Sequence, residues 1–245
     1  MTPRGSSLLP SSRRRLLAMA GLVVGAAALG ACGTAASNGL ASKAPPQILS
    51  AAAAAVSQAS SVRISGTVIA GGHPAGVDMT LFKGGSADGT FSLSGSVGSI
   101  VITRHDIYFK GSASFWSSLG IDSGSPFPQS LAARLAGRWV ELPSSAQSGV
   151  SSLSIKGLVK ALRTGTGTAT KAGTRTVQGQ QAVGVSSGAN GTLWIATTGT
   201  AYPVEVEKSE KGTNEHLIFS AWNEGTAPAA PAGAKTLQQL LGLAQ

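Results

Sequence analysis

Cysteine is almost absent from this 245-residue chain, since Cys32 is the only one. A single cysteine excludes an intramolecular disulfide and a metal site built from several thiolates. The part of the chain after Cys32 must therefore be stabilised by buried apolar side chains. About 214 residues remain there, which is enough for one domain with a sizeable core.

Charged and aromatic residues are also scarce, at 12% and 5% of the chain. The net charge of +9 falls to +5 when Arg4, Arg13, Arg14 and Arg15, which all precede Cys32, are set aside. The remaining lysines and arginines are scattered and do not alternate with aromatic residues, as they would on a nucleic-acid-binding surface. The sequence thus predicts no nucleic-acid partner.

No apolar run is long enough to be a permanent membrane span. The run from Leu16 to Ala31 has 16 residues, whereas a transmembrane helix needs about 20. Arginines precede the run and small residues end it, which is typical of a cleaved signal peptide over residues 1–31. The pair Arg13-Arg14 leaves two export routes open, the twin-arginine route and general secretion.

The signal peptide ends on Leu29-Gly30-Ala31-Cys32, which matches a lipobox. In such a motif lipid is attached to the cysteine thiol, and the small residues Gly30 and Ala31 give the peptidase access to the bond before Cys32. The acyl chains on Cys32 would form a durable anchor. We expect a lipid-anchored protein on the extracytoplasmic face of the cell membrane; the alternative is a secreted protein with a chance cysteine at this position.

The part of the chain after Cys32 divides into a tether and one domain. Residues 32–46 are rich in Ala, Ser and Gly and predict a lipidated, flexible tether. Residues 47–245 predict a single domain that begins with an alanine-rich helix over 47–59. From Ser61 the apolar period changes from 3.6 to 2, which indicates strands.

The strands fall into two groups separated by helices, which predicts an α+β fold. Alternation places strands around Ile64, Met79, Phe91, Ile100 and Ile107 before the helical section. The later predicted elements are helices over 114–119, 128–135, 150–163 and 236–243, and strands over 138–142, 174–177, 181–185, 191–197, 203–208 and 215–222.

Catalytic and metal-binding patterns are weak. Gly184-Val185-Ser186-Ser187-Gly188 matches the G-x-S-x-G nucleophile elbow, but a turn and a strand follow it where the elbow requires a helix. The three histidines are isolated from one another, and Glu205 and Glu207 are expected on a solvent-facing side of their strand. We therefore predict no enzyme, no metal site and no cofactor.

The predicted strands share an apolar inner face. Few long amphipathic helices are available to cover it, so this face is either packed solid or leaves a pocket for an apolar ligand. Alternation and helical spacing give candidate residues for the inner face and its cavity: Met79, Leu81, Phe91, Leu93, Ile100, Ile102, Trp139, Leu158 and Leu162.

Several segments, in this order, resemble the LppX/LprG group of actinobacterial lipoproteins. They are the lipobox with its alanine-rich helix, 61–67 (SVRISGT), 87–91 (ADGTF), 107–111 (IYFKG), 138–140 (RWV), 177–183 (VQGQQAV) and 196–204 (ATTGTAYPV). The resemblance implies a strongly curved antiparallel half-barrel, similar to the carrier LolA, with helices on its concave face. It also implies a hydrophobic cavity that holds acyl chains of lipids or lipoglycans.

Two functions remain open at this point. The first is a membrane-anchored envelope lipoprotein that binds a lipid or lipoglycan and assists its transfer. The second is a non-catalytic interaction or sensor lipoprotein with a packed interior and an envelope protein partner.

Overall fold

An alanine-rich segment forms the first helix of the domain, α1 (Pro45–Gln58). The prolines at its first two positions fit because backbone N–H groups there have no partner within the helix. The Ala44 N–H donates to the Gln47 side chain at 3.3 Å, which satisfies one more group at this end. The structure, a computed structural model, describes residues 36–70, 72–119, 129–143, 153–164, 169–188, 191–210 and 213–242.

Twelve strands in the described part of the chain form a single sheet. They are β1 (Ser61–Ala70), β2 (His73–Phe82), β3 (Ala87–Leu93), β4 (Ser96–Ile102), β5 (Ile107–Gly111), β6 (Val140–Glu141), β7 (Thr170–Val177), β8 (Gln180–Ser186), β9 (Thr192–Ala196), β10 (Pro203–Glu210), β11 (Thr213–Ser220) and β12 (Lys235–Thr236). Their order in the sheet is β12-β6-β5-β4-β3-β2-β1-β11-β10-β9-β8-β7.

The sheet consists of two meanders joined through β1 and β11. Strands β1 to β6 pair successively, as do β7 to β11, and β1 pairs antiparallel with β11. Within the described residues, the parallel pair is β12 with β6. Short turns allow this arrangement; Ser94 and Gly95, with φ of 50° and 78°, connect β3 to β4. The predicted α+β class with a dominant antiparallel sheet is confirmed.

Four further helices follow α1 among the described residues. They are α2 (Ala113–Leu119), α3 (Gln129–Leu135), α4 (Ile155–Thr164) and α5 (Leu237–Leu241). Helix α2 packs on β3, β4 and β5, whereas α1 packs on α4 and β8. The main core thus lies between one face of the sheet and these helices.

The period-2 pattern sets the two faces of the sheet. Val62, Ile64, Met79 and Leu81 point to the helices and belong to the same core as Val183 on β8. The predicted alanine-rich helix is present as α1, and its Ile48, Ala52 and Val56 are fully buried, as is Ala59 directly after it. One core therefore joins both meanders.

Residues before the predicted domain boundary at residue 47 already contact the sheet. Asn38 donates from its backbone N–H to the Thr197 carbonyl at 2.9 Å and from its side chain to the Ala196 carbonyl at 3.0 Å. Leu40 is buried at 7% exposure, and α1 starts at Pro45. The C-terminal part of the predicted tether is thus docked against the sheet, since Asn38 donates to carbonyl groups at the end of β9 and just after it.

Other boundaries differ by a few residues. The strand predicted over 138–142 is restricted to Val140–Glu141, and the closing helix covers Leu237–Leu241. The helix predicted over 150–163 is described from Ile155, where Ser154 caps it by accepting from the Gly157 N–H at 3.0 Å.

Candidate functional site

The inner face of the sheet is filled at one end by aromatic side chains. Phe115 of α2 is fully buried, and its ring meets Phe91 and Trp116 edge-on at centroid distances of 5.1 and 5.7 Å. Gly98 and Gly111 make room for it, because a Cβ on either would lie 2.2 or 2.1 Å from the ring. We call β2–β5 with α2 and α3 the packed half of the domain.

The other end of the inner face contains a pocket of about 560 Å³. It lies between the sheet, α1 and α4. Its lining residues are Leu49, Leu158, Ala161, Leu162, Thr164, Val185, Ser187, Gly191, Thr192, Leu193, Pro203, Val206 and Phe219. We call β8–β11 with α4 the pocket half.

Helical spacing on α4 builds the wall of this pocket. Leu158, Ala161 and Leu162 recur at intervals of three and four residues and so share one side of the helix. Leu49 extends the wall from α1 and is 5% exposed. Two turns of apolar side chains thus face the sheet across the pocket.

Alternation on the strands builds the floor. Val206 pairs with Leu217 on one side and with Leu193 on the other, and Leu193 and Val206 both line the pocket. None of the described residues that line the pocket is charged, and its polar groups are the hydroxyls of Thr164, Ser187 and Thr192. Such a surface suits an apolar chain, and the volume falls in the range of about 300–1,000 Å³ usual for small-molecule sites.

Two of the nine predicted cavity residues, Leu158 and Leu162, line this pocket. Most of the others lie in the packed half. Met79, Leu81, Ile100 and Ile102 belong to the main core, Phe91 packs against it, and Leu93 is 7% exposed at the end of β3.

Trp139 does not face the inner side as predicted. Its ring lies beside the exposed Lys110, whose Nζ is 5.9 Å from the ring centroid. The neighbouring Val140 is the residue that turns inward, and it is fully buried. Val140 faces inward because it pairs with the inward-facing Phe109, and alternation along the chain then turns Trp139 to the other side.

Sequence reasoning missed the floor of the pocket. Leu193, Val206 and Phe219 lie on strands that were predicted, and each alternates with a polar or outward-facing neighbour. Val206 in particular lies between Glu205 and Glu207, so alternation along the strand could have predicted that it points inward. Alternation alone could not distinguish this end of the sheet from the packed end.

The outer face of the pocket half holds a charged network. Glu205 is 7% exposed, and its two carboxylate oxygens contact Arg175 and His216 at 2.5 Å. Arg175 also donates to Glu207 at 3.1 Å and lies 3.9 Å from the centroid of the Trp194 ring. The expectation of an ordinary solvent-facing pair is thus wrong for Glu205, because the Trp194 and Arg175 side chains cover its strand.

The carboxylates of this network keep Arg175 positively charged. Burial lowers the pKa of Arg175, but hydrogen bonds from Arg175 to Glu205 and Glu207 outweigh it and raise the pKa overall. The guanidinium therefore stays protonated. Trp194 completes the network by donating its indole N–H to Glu207 at 3.0 Å.

The G-x-S-x-G sequence connects two strands. Ser186 ends β8, and the Ser187 N–H donates to the Gly191 carbonyl at 3.1 Å across the turn to β9. This is the turn-to-strand context expected from the sequence: β9 begins at Thr192, whereas a nucleophile elbow requires a helix after the serine.

The described residues also bear on metal binding and on membrane insertion. No group of three His, Cys, Asp or Glu side chains within them is arranged to hold a metal ion. Their helices are all too short or too polar to traverse a bilayer. The lipobox residues Leu29, Gly30, Ala31 and Cys32 lie outside the described part of the chain.

The architecture matches solved structures. LprF from Mycobacterium bovis aligns with a TM-score of 0.50 and 16% identity, over 76% of this chain and 96% of LprF. The chain has the fold of LprF. The predicted resemblance to the LppX/LprG group is thereby confirmed at the level of the fold.

The lipoprotein LppX from Mycobacterium tuberculosis aligns with a TM-score of 0.48 and 17% identity, over 74% of this chain and 96% of LppX. No protein-family model matches the sequence, and no curated protein matches it either.

Proposed function

We propose that this protein is a membrane-anchored lipoprotein of the cell envelope that holds an acyl chain of a lipid or lipoglycan in the pocket under α4 and assists its transfer. The observation that carries this proposal is the uncharged 560 Å³ pocket between α1, α4 and the sheet. Each methylene that enters such a pocket contributes about 0.8 kcal/mol, so no catalytic group is required for binding.

The proposed anchor agrees with the position of the pocket-bearing domain in the chain. Cys32 lies four residues before the first described residue, Ala36, in a lipobox sequence. Lipid on this thiol would keep the domain at the membrane surface, where its proposed ligand is located. Replacing Cys32 with alanine should abolish incorporation of labelled palmitate, whereas retained labelling would contradict attachment at this residue.

The binding proposal is tested by native mass spectrometry of the full chain extracted from membranes. Val206→Trp fills the pocket from its floor, and Val97→Trp is the matched control because Val97 is 59% exposed on β4. We expect bound lipid on the wild type and on Val97→Trp, with at least a tenfold smaller bound fraction on Val206→Trp.

Two results would contradict the proposal. Equal lipid occupancy in both tryptophan variants would place the lipid elsewhere. Lipid-free wild type would favour the alternative function, an interaction lipoprotein whose envelope protein partner binds its surface; the filled interior of the packed half is the feature that agrees with this alternative.

A further inference from the structure

A second pocket, of about 490 Å³, lies at the end of the sheet where β2 turns into β3 and β4 turns into β5. It lies beside the start of α4 and shares no lining residue with the pocket under α4. The two pockets are therefore separate sites, on different sides of the same helix.

The interior of the second pocket is apolar. Phe82, Ile102, Ile107 and Ile155 line it and are at most 7% exposed, and Val159 extends the surface along α4. An aliphatic chain would find the same kind of surface here as in the larger pocket.

The rim of the second pocket is basic. Lys83, Arg104 and Lys156 line it, and they come from three separate segments, namely the β2–β3 turn, the β4–β5 turn and α4. All three are exposed, and within the described residues none of them takes part in an ion pair. Chain segments distant in sequence thus bring three cations to one apolar opening.

The opposing charge at this rim is small. Among the described lining residues, Asp106 carries the one carboxylate. It accepts a hydrogen bond from the Tyr108 hydroxyl at 3.4 Å. Arg104 lies over the β2–β3 turn, with Nη2 3.9 Å from the place where a Cβ on Gly84 would be. His105 completes this side of the rim.

We propose that the second pocket binds an anionic amphiphile, with a phosphate or carboxylate head at Lys83, Arg104 and Lys156 and an acyl chain on the apolar interior. Charge complementarity selects the head, and apolar burial holds the chain. This site goes beyond the proposed function, because the pocket under α4 has no charged lining residue and no preference for an anion.

The test uses the full chain extracted from membranes and titrated by native mass spectrometry. The probes are lauroyl lysophosphatidate, lauroyl lysophosphatidylcholine and laurate, which carry the same chain on an anionic phosphate, a zwitterion and a carboxylate. We expect the two anions to bind more tightly than the zwitterion, and we expect this preference to shrink as the salt concentration rises.

A charge variant locates the site. Lys83→Gln/Arg104→Gln/Lys156→Gln should weaken lysophosphatidate binding about tenfold, since three exposed charge contacts to the head are lost. The matched control, Lys43→Gln/Arg138→Gln/Lys235→Gln, removes the same charges at exposed positions that do not line this pocket and should bind like the wild type. Thermal melts of both variants verify that they are folded.

The outcomes separate this site from the pocket under α4. Lysophosphatidate binding that survives Val206→Trp but falls in the charge variant supports the proposal, and the relative affinity of laurate then identifies the head as carboxylate or phosphate. Equal binding of the zwitterion and the anions, or equal losses in the charge variant and its control, would overturn it. Loss in Val206→Trp alone would also overturn it.

Discussion

The two ends of the inner sheet face are built from the same alternating strands, yet one is filled around Phe115 and the other leaves a pocket under α4. In the packed half, α2 inserts Phe115 against Gly98 and Gly111 and closes the space between helix and sheet. In the pocket half, α4 presents leucines and an alanine, and a pocket of about 560 Å³ remains. The two ends thus differ mainly because Phe115, packed against Gly98 and Gly111, fills one of them, and less because of the strand pattern.

The difference between the two halves also explains how one domain can be stable and still bind a ligand. A packed end supplies free energy of folding through dense van der Waals contact. The pocket half makes fewer van der Waals contacts, and a bound acyl chain would supply the missing ones. Mutations in the two halves should therefore differ in what they affect.

The largest expected effect on stability comes from Phe115→Ala in the packed half. Phe115 is fully buried, so we expect the free energy of unfolding to fall by about 4 kcal/mol. Chemical denaturation measures it, with the exposed Val97→Ala as a control that should change little. A loss below about 1 kcal/mol would mean that the ring is not the closing element of this half.

A matched pair of leucines compares the halves directly. Leu135 on α3 is fully buried, whereas Leu162 on α4 is 9% exposed and borders the pocket. We expect Leu135→Ala to lower the free energy of unfolding by about 3 kcal/mol and Leu162→Ala by about half as much, because fewer atoms surround the second side chain. Equal losses in the lipid-free protein would contradict a hollow pocket half.

The outer faces of the two halves differ as well. In the pocket half, Arg175→Gln would remove the guanidinium that neutralises Glu205, which is 7% exposed. We expect a loss of about 1–3 kcal/mol, since a buried acceptor would lose its charged partner. The control is Arg63→Gln on β1, because Arg63 forms an exposed pair with Asp78 of the packed half and this pair should contribute less. A greater loss for Arg63→Gln would reverse this order.

The smallest expected effect is the pH dependence of that exposed pair. A hydrogen bond from Arg63 lowers the pKa of Asp78 below its usual value, and this outweighs the opposing effect of burial. A carboxyl with a lowered folded-state pKa stabilises the fold above its unfolded pKa of about 4, and this contribution is lost as the pH falls through the folded-state pKa. Melting temperatures of wild type and Arg63→Gln should therefore differ slightly at pH 6 and converge towards pH 2; a constant difference would contradict the assignment.

Much of the fold could be predicted because it follows from local periodicity. The alternation of Val77, Met79 and Leu81 fixed a strand and its inward face, and the alanine run fixed α1. Trp139 was assigned to the wrong face because its predicted strand is reduced to Val140–Glu141, and alternation over so short a segment carries little information.

The site was harder to predict, because a pocket forms where helices and strands leave space unfilled, and this depends on side chains that are distant in the sequence. Leu158 and Leu162 were found from helical spacing, but nothing local to Met79 or Ile100 indicates that Phe115, on a separate helix, closes the space above their half of the sheet. Glu205 is a similar case, since its burial depends on Trp194 from the adjacent strand β9 and on Arg175 from β7, three strands away.

The central claim is that an acyl chain occupies the pocket under α4 and not the core around Phe115. The most direct measurement is photo-crosslinking of the full chain with a lipid that carries a diazirine on its acyl chain, followed by peptide mapping. We predict crosslinks near Leu158, Leu193 and Val206, which line the pocket under α4. Crosslinks concentrated near Met79, Phe91 and Ile100 would contradict the account.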